Sequence, residues 1–213
     1  MPRSKSREKS NVSLYDRILG HPFVYHHVRP LVVGIDYTKQ YDALSAGPDD
    51  RILDIGCGGG DALRYLESFD AYHGFDTDEV AIAFAKQRPE AIAANVEFEA
   101  ALVTPATFER VRPTRVMMNG LLHHLDDDAA IDLLRMCGST PSVERIVTND
   151  TVYLKREPLN NLLARLDRGR FVRRVEGFRE LAARAGLTIA QEELVRSHPT
   201  RGIAQYLVMV LER

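Results

Sequence analysis

The chain has 213 residues, of which 45% are hydrophobic and 27% are charged, and its formal net charge is −2. Because 28 basic side chains are balanced by 30 acidic ones, the composition argues against nucleic acid and anionic membranes as partners. No apolar run is long enough for a transmembrane span, and the basic N-terminus lacks the apolar core of a signal peptide. Only two cysteines are present, Cys57 and Cys137, which favours a reducing, cytoplasmic setting, and the length predicts one domain.

The first 49 residues differ in composition from the rest of the chain. Residues 1–12 are polar and basic, and we interpret them as a flexible tail. Residues 13–49 carry aromatic and apolar side chains at irregular helical spacing, interrupted near Gly20 and Pro30. This pattern predicts two or three short helices ahead of a core that begins near residue 50.

From residue 51 onward, short apolar runs alternate with helical patterns. Strands are predicted at Arg51–Ile55, Ala71–Phe75, Val96–Phe98, Arg115–Asn119 and Arg145–Asn149. Helices are predicted at Asp61–Phe69, residues 78–88, Asp127–Met136, residues 159–166 and Gly177–Arg184. This alternation indicates βαβ units and a parallel sheet. Two final strands, Leu187–Arg196 and Ile203–Leu211, are predicted to form an antiparallel hairpin.

The strongest local signal is a cluster of glycines directly after the first strand, in the order Asp54-Ile55-Gly56-Cys57-Gly58-Gly59-Gly60-Asp61. Glycine tolerates positive φ and lets a ligand lie directly on the backbone. A dinucleotide fingerprint, G-x-G-x-x-G, would require its third glycine at the position of Asp61. The NAD-dependent oxidoreductase reading is therefore disfavoured.

Asp54, Gly56, Gly58 and Gly60 instead match the pattern D-x-G-x-G-x-G. The stretch resembles the first motif of class I S-adenosylmethionine-dependent methyltransferases. The resemblance implies that Asp54 and the glycine loop, Cys57 included, hold the amino acid part of the cofactor S-adenosylmethionine. It also implies an α/β fold with a Rossmann-like, seven-stranded, mostly parallel sheet, helices on both faces and an inserted antiparallel C-terminal strand. Residues 13–49 would form a helical lid on a core of residues 50–213.

The resemblance places further cofactor contacts after the second and third strands. Asp76 follows Asp54 by 22 residues and is expected to accept both ribose hydroxyls, next to Thr77. The alternative is that Asp76 caps the next helix, a role for which Asp78 is better placed. After the third strand, Leu102 is the expected apolar neighbour of the adenine, whose amino group would contact backbone groups or Glu99.

The region after the fourth strand also resembles small-molecule methyltransferases, since an apolar strand is followed by a Leu-His-His run. The resemblance places Asn119, Gly120 and Leu121 beside the methionine part of the cofactor. An acid-first motif with Pro-Pro is missing from the sequence here, which argues against methylation of DNA adenine or of glutamine.

His123 and His124 are the candidate catalytic residues, because histidine can remove a proton near neutral pH. His123 is preferred as the general base, with His124 in reserve. The alternative is that they cap the following helix or pair with the acids at 126–128. A metal site is disfavoured, because adjacent histidines in an extended segment would point apart.

Candidate substrate-binding residues come from two regions. Tyr15, Tyr25 and His26 belong to the expected lid, where aromatic rings can close over a substrate. Asp150 and Tyr153 are expected in a loop after the fifth strand, and with Asn149 they lie at the carboxyl edge of the sheet, where the substrate pocket of an open α/β sheet is found.

Together these features predict a cytoplasmic methyltransferase, monomeric or homodimeric, that transfers a methyl group to a small-molecule acceptor. The acceptor is expected to be an oxygen, nitrogen or carbon nucleophile, with an oxygen nucleophile of a specialised metabolite as the leading candidate, and no nucleic acid, membrane or metal is expected to take part. The alternative is a non-catalytic S-adenosylmethionine-binding module or partner subunit.

Overall fold

A computed structural model describes residues 38–92, 95–167, 169–198 and 202–213. The predicted tail and most of the predicted lid, including Tyr15, Tyr25 and His26, lie outside the described residues. Within those ranges, no helix is both long and apolar enough to cross a membrane.

The described strands form one sheet. They are β1 (Arg51–Ile55), β2 (Ala71–Asp76), β3 (Val96–Ala100), β4 (Arg115–Asn119), β5 (Arg145–Tyr153), β6 (Arg173–Arg174), β7 (Thr188–Arg196) and β8 (Gln205–Glu212). Seven of them lie in the order β3-β2-β1-β4-β5-β8-β7, and the two-residue β6 pairs with β5. The pairs among β1 to β5 are parallel, whereas β8 lies antiparallel between β5 and β7. The predicted sheet is confirmed.

Within the described residues, six α-helices pack against or connect these strands. They are α1 (Thr38–Leu44), α2 (Glu79–Ala85), α3 (Pro105–Val111), α4 (Asp127–Ser139), α5 (Pro158–Leu166) and α6 (Val175–Arg184). Short 3₁₀ turns lie at Asp61–Arg64, Pro89–Ile92 and Leu122–His124.

The core has two parts because the strands bury alternate side chains on opposite faces of the sheet. In β1, Leu53 and Ile55 belong to one hydrophobic cluster and Ile52 to the other. The first cluster includes residues of α3, α4 and α6, and the second includes residues of α1 and α2. Helices therefore lie on both faces, as predicted.

The structure differs from the sequence-based prediction at two elements, one directly after the glycine loop and one between β3 and β4. The helix predicted at Asp61–Phe69 is only the single 3₁₀ turn Asp61–Arg64. Helix α3, which was not predicted, begins at a capping box in which Thr104 and Thr107 bond to each other's backbone amides, with Pro105 in the first turn. Thr-Pro followed by a threonine two residues later was the signal for this helix.

Strand β5 is four residues longer than predicted. The polar run Thr148–Thr151 has the composition of a loop, but all four residues are buried in the strand, where β8 pairs with them. Asp150 and Tyr153 therefore belong to a strand and not to the expected loop.

Candidate active site

A cleft of about 800 Å³ lies at the carboxyl ends of the parallel strands. Its walls include the ends of β1, β2 and β4, so it straddles the point between β1 and β4 where the strand order reverses, the usual ligand site in open α/β sheets. Ten of the eleven predicted cofactor residues line it: Asp54, Gly56, Cys57, Gly58, Asp76, Thr77, Leu102, Asn119, Gly120 and Leu121.

The glycine loop has the backbone that the sequence predicts. Gly56, Gly58 and Gly60 have φ angles of 77°, 52° and 72°, which side chains disfavour. A Cβ on Gly58 would meet no atom within 4 Å, so this glycine opens onto the cleft. Gly60 is the exception among the predicted contacts. A Cβ there would lie 2.7 Å from the ring of Phe98, so Gly60 is needed for packing behind the loop and does not line the cleft.

Asp54 is a buried carboxylate on the cleft wall, only 2% exposed. Its Oδ2 accepts a hydrogen bond of 2.5 Å from the Tyr72 hydroxyl, whereas its Oδ1 has no hydrogen-bond partner. Burial raises the pKa of Asp54 to about 7, the Tyr72 hydrogen bond opposes this, and the charge of Asp76 adds to it. A cationic ligand group beside Oδ1 would satisfy this atom.

Asp76 and Asp78, at the end of β2, have different hydrogen-bond partners. Asp76 accepts hydrogen bonds of 2.9 Å from the backbone N–H groups of Gly58 and Asp78. Asp78 is the N-cap of α2 and accepts from the backbone amides of Val80 and Ala81. Asp78 thus has the capping role expected for it, and Asp76 ties the glycine loop to β2 while lining the cleft.

The buried side chain of Arg88 holds the glycine loop in position through hydrogen bonds. Its side chain is 6% exposed and donates hydrogen bonds to the Gly59 carbonyl and to Asp61. Its guanidinium also lies 5.5 Å from the ring centre of Phe84. Asp61, which breaks the dinucleotide pattern, therefore holds the loop in place. Nothing in the local sequence pattern indicated Arg88.

The expected adenine region lies at the end of β3. Leu102 lines the cleft and is 76% exposed, which leaves an apolar surface for a ring. Glu99 pairs with Arg110 and does not line the cleft. Of the two alternatives for the adenine amino group, backbone contact is the one that this placement supports.

Next to Asn119, the cleft is lined by Asn149, which the sequence places at the carboxyl edge of the sheet, and by Tyr41 and Tyr206, which the sequence does not assign to the site. Tyr41 of α1 stacks on Tyr65 with ring centres 4.7 Å apart, and its hydroxyl accepts a bond of 3.3 Å from Asn119. The amide nitrogen of Asn149 donates to Gln40, while its buried Oδ1 has no partner. Distant parts of the chain come together here, as in the hydrogen bond between Tyr41 and Asn119, which are 78 residues apart in sequence.

His123 is buried at the cleft wall between two carboxylates. Asp150 Oδ1 lies 3.1 Å from the backbone nitrogen and 2.8 Å from Nδ1 of His123, and Asp167 Oδ1 lies 3.4 Å from Nε2. Burial alone would lower the pKa of His123, but the two carboxylates outweigh it and raise the pKa to about 9. The ring is thus protonated at neutral pH and cannot accept another proton, which argues against His123 as the general base.

The two histidines are also closer to each other than expected. The segment Leu122–His124 is a 3₁₀ turn and not an extended chain, so the ring centres of His123 and His124 are only 4.3 Å apart. The nitrogen atoms of both rings and an Asp167 oxygen lie within 4.8 Å of one another. The argument from an extended segment against shared metal binding is therefore wrong. His124 is exposed and lines the cleft.

Asp150 and Tyr153 do not line the cleft, contrary to the position expected for substrate-binding residues. Asp150 is 1% exposed because it lies behind His123 and is covered by that ring. Tyr153 ends β5 and pairs in register with Arg174 of β6. Asp150 therefore positions His123, and neither residue has the direct access to a ligand that the expected loop would have given.

Residues 52–140 match the protein family described as "Methyltransferase domain". The matched region runs from β1 into α4 and includes the glycine loop, Asp76 and both histidines. This stretch of the chain is therefore similar to a methyltransferase domain. The described sheet has β8 antiparallel between β5 and β7, and the solved structures below share the fold.

Two curated plant proteins resemble part of this chain in sequence. Phosphoethanolamine N-methyltransferase 3 of Arabidopsis thaliana is 28% identical over 127 residues, which cover 58% of this chain and 25% of the relative. Phosphoethanolamine N-methyltransferase of Triticum aestivum is 29% identical over 125 residues, 57% of this chain and 24% of the relative. The chain thus spans about a quarter of the length of the curated relatives it matches.

Solved structures share the fold at low sequence identity. A cyclopropane synthase from Mycobacterium tuberculosis has a TM-score of 0.63 and 14% identity, with 82% of each chain covered. Geranyl diphosphate C-methyltransferase from Streptomyces coelicolor has a TM-score of 0.59 and 17% identity, with 82% of this chain and 77% of that chain covered. Magnesium protoporphyrin IX methyltransferase from Synechocystis has a TM-score of 0.55 and 16% identity, covering 96% and 86%.

Proposed function

We propose that the chain is an S-adenosylmethionine-dependent methyltransferase that acts on a small molecule. The observation that carries this proposal is the unpartnered Oδ1 of Asp54, which is buried in the wall of the cleft beside the glycine loop. A buried carboxylate oxygen without a partner is costly unless a ligand supplies one. The ammonium group of the cofactor's amino acid part has the charge and the hydrogen-bond donors that this oxygen requires.

The other cofactor contacts follow from the same geometry. The open space above Gly58 lets the cofactor lie against the backbone, and Asp76 presents a carboxylate beside it that can accept two ribose hydroxyls. Leu102 offers an apolar surface for the adenine. Asn119 and Gly120, at the end of β4, would lie along the methionine part.

The bound cofactor supplies an activated methyl group on a sulfonium, so the protein contributes mainly proximity and alignment. Tyr41, Asn149 and Tyr206 bound the part of the cleft next to Asn119, where they would orient the acceptor. An acceptor hydroxyl must lose its proton as the bond to the methyl carbon forms. His124, exposed in the cleft, would take that proton, and His123, held between Asp150 and Asp167, would fix the turn that presents His124 to the acceptor.

We propose an oxygen nucleophile on a specialised metabolite as the acceptor, because a hydroxyl loses its proton during transfer and His124 lies in the cleft to take it. A nitrogen acceptor is the competing assignment, since the matched plant proteins are named for phosphoethanolamine N-methylation. The proposed protein is a cytoplasmic monomer or homodimer that needs no nucleic acid or membrane.

Calorimetric titration with S-adenosylmethionine, its demethylated product and NAD tests the cofactor assignment. We expect both sulfur compounds to bind and NAD not to bind. Asp76→Ala should weaken binding by about 1.5–3 kcal/mol, through loss of the ribose contacts. Asp78→Ala is the matched control. It removes the α2 cap and should lower stability by about 1 kcal/mol with a smaller effect on affinity. Undiminished binding in the Asp76 variant would contradict the ribose assignment.

Transfer of a labelled methyl group from S-adenosylmethionine into a metabolite extract tests the activity itself. We expect a labelled small molecule, and His124→Gln should slow its formation while cofactor affinity stays unchanged. Cofactor binding without transfer to any acceptor would favour a non-catalytic S-adenosylmethionine-binding module instead.

A further inference from the structure

We infer that His123, His124 and Asp167 form a binding site for one divalent transition-metal ion at the wall of the cleft. Two imidazoles and one carboxylate are a donor set that suits Zn²⁺, Fe²⁺ and Co²⁺. The three side chains present their ligand atoms within 4.8 Å of one another.

The distances fit a shared ion with little movement. Two ligands of a tetrahedral zinc ion, at bond lengths near 2.0–2.1 Å, lie about 3.4 Å apart. Nε2 of His123 and Oδ1 of Asp167 are separated by 3.4 Å. The exposed ring of His124 is the ligand that would have to turn, and its position at the surface of the cleft permits this.

The surroundings of His123 are those of a metal ligand. Its Nδ1 lies 2.8 Å from Asp150 Oδ1, so Nε2 is the nitrogen turned toward Asp167. A carboxylate on the distal nitrogen of a ligand histidine fixes its orientation and raises its basicity. The ring of His123 lies between the two carboxylates, and a divalent cation would bind on its Nε2 side, next to Asp167.

The loop that delivers Asp167 is held against the same histidine. The Phe171 amide donates a hydrogen bond of 3.0 Å to the His123 carbonyl, and a Cβ on Gly169 would lie 2.0 Å from the His123 ring. Close packing of the Gly169 and Phe171 backbone on His123 therefore holds Asp167 beside the two histidines.

The three ligands leave coordination positions that face the cleft, because His123, His124 and Asp167 all line it. An oxygen of a bound small molecule, such as a hydroxyl, a carboxylate or a phosphate, could occupy such a position. With the ion bound, His124 would be a ligand, and coordination of the acceptor hydroxyl would replace it as the means of proton removal. The His123 ring lies close to Gly120, where a Cβ would be 3.5 Å from it, so the ion would neighbour the expected methionine part of the cofactor. Metal binding is therefore titrated both with and without S-adenosylmethionine.

The test is a metal titration of the full chain after removal of metals with a chelator. Zn²⁺ is followed by calorimetry and Co²⁺ by its visible absorption, which reports nitrogen and oxygen ligands in a tetrahedral site. We expect one ion per chain. His124→Ala and Asp167→Asn should each weaken binding at least tenfold, and Asp150→Asn by about 10–100-fold.

Two control variants distinguish this site from unspecific histidine and carboxylate binding. His73→Ala removes another histidine that lies 3.2 Å from a carboxylate, that of Glu97, and Asp132→Asn removes an acid that lines the cleft outside the cluster. Both should leave metal affinity unchanged. Absence of binding, or binding that survives in the His124 and Asp167 variants, would overturn the inference. Cofactor titration of the metal-free chain shows whether the proposed function holds independently.

Discussion

Asp54 is the residue where burial, charge and ligand binding are most closely linked. Burial raises the pKa of Asp54 to about 7, well above its ordinary value of 3.8, so keeping the carboxylate ionised near neutral pH costs free energy. Such a residue weakens the fold at neutral pH, which is the pattern expected of a group retained for binding and not for stability.

The pH dependence of stability should reveal this residue. Between about pH 4 and pH 7 the folded chain keeps the Asp54 proton that the unfolded chain has lost, so the free energy of unfolding falls as pH rises through this window. In Asp54→Asn this decline should be smaller, by an amount on the order of a few kcal/mol, while cofactor binding is lost. Denaturant unfolding of both proteins at several pH values measures the difference, and parallel profiles would contradict it.

Gly58 and Gly186 form a natural pair of test positions. Both have positive φ, 52° and 79°, and a Cβ on either would meet nothing within 4 Å. Alanine at each should therefore cost a similar backbone strain of about 1–2 kcal/mol. Only Gly58 lines the cleft, so Gly58→Ala should reduce cofactor affinity tenfold or more, about 1.4 kcal/mol, whereas Gly186→Ala should not. Equal affinities in calorimetry would show that nothing binds over Gly58.

At the scale of the elements, the glycine loop after β1 is held in position by the side chain of Arg88 and is not followed by a full α-helix. The helix that usually succeeds such a loop is reduced here to the turn Asp61–Arg64, so fewer aligned backbone amides face the ligand. Arg88, from the segment after α2, compensates by bonding to Gly59 and Asp61.

Removal of that anchor should loosen the loop. Arg88→Ala should lower the free energy of unfolding by about 2–3 kcal/mol, because hydrogen bonds of a buried charged group are lost, and should weaken cofactor binding as well. Arg110→Ala removes an arginine from the exposed ion pair with Glu99 and should cost about 1 kcal/mol or less. Thermal melting and calorimetry of the two variants make the comparison. Similar losses in both would show that the loop does not depend on Arg88.

At the scale of the whole molecule, α1 belongs to the core and not to a movable cover. Leu44 is completely buried, and Tyr41 stacks on Tyr65 and bonds to Asn119 at the cleft. The expected lid over residues 13–49 therefore has its C-terminal end fixed on the sheet, and any closing motion must come from residues before α1.

Hydrogen exchange with and without bound ligands tests the remaining part of the lid. Exchange in α1 should be slow and unchanged, because its packing does not need a ligand. Exchange over residues 12–37 should slow when cofactor and acceptor are both bound, if these residues close over the cleft. Equal rates in both states would leave this segment without a closing role.

Much of the domain could be predicted from the sequence, because the relevant signals are local. The alternation of apolar runs and helical patterns determined the strands, and the residues Asp54 to Gly60 determined the loop that binds the cofactor in the proposed function. The spacing of 22 residues between Asp54 and Asp76 was informative for the same reason, because the two residues lie on the consecutive strands β1 and β2. Asp78 as a helix cap also follows from neighbouring residues alone.

Only the tertiary structure decided what the polar residues do at the other end of the cleft. Asp150 looked like a loop residue, yet it is buried in β5, where pairing with β8 continues the strand. Its contact with His123 spans 27 residues, and Asp167 joins from a further element. The pKa of His123, and its proximity to His124 and Asp167, depend on how separate strands and loops pack, and no local pattern in the sequence records that packing.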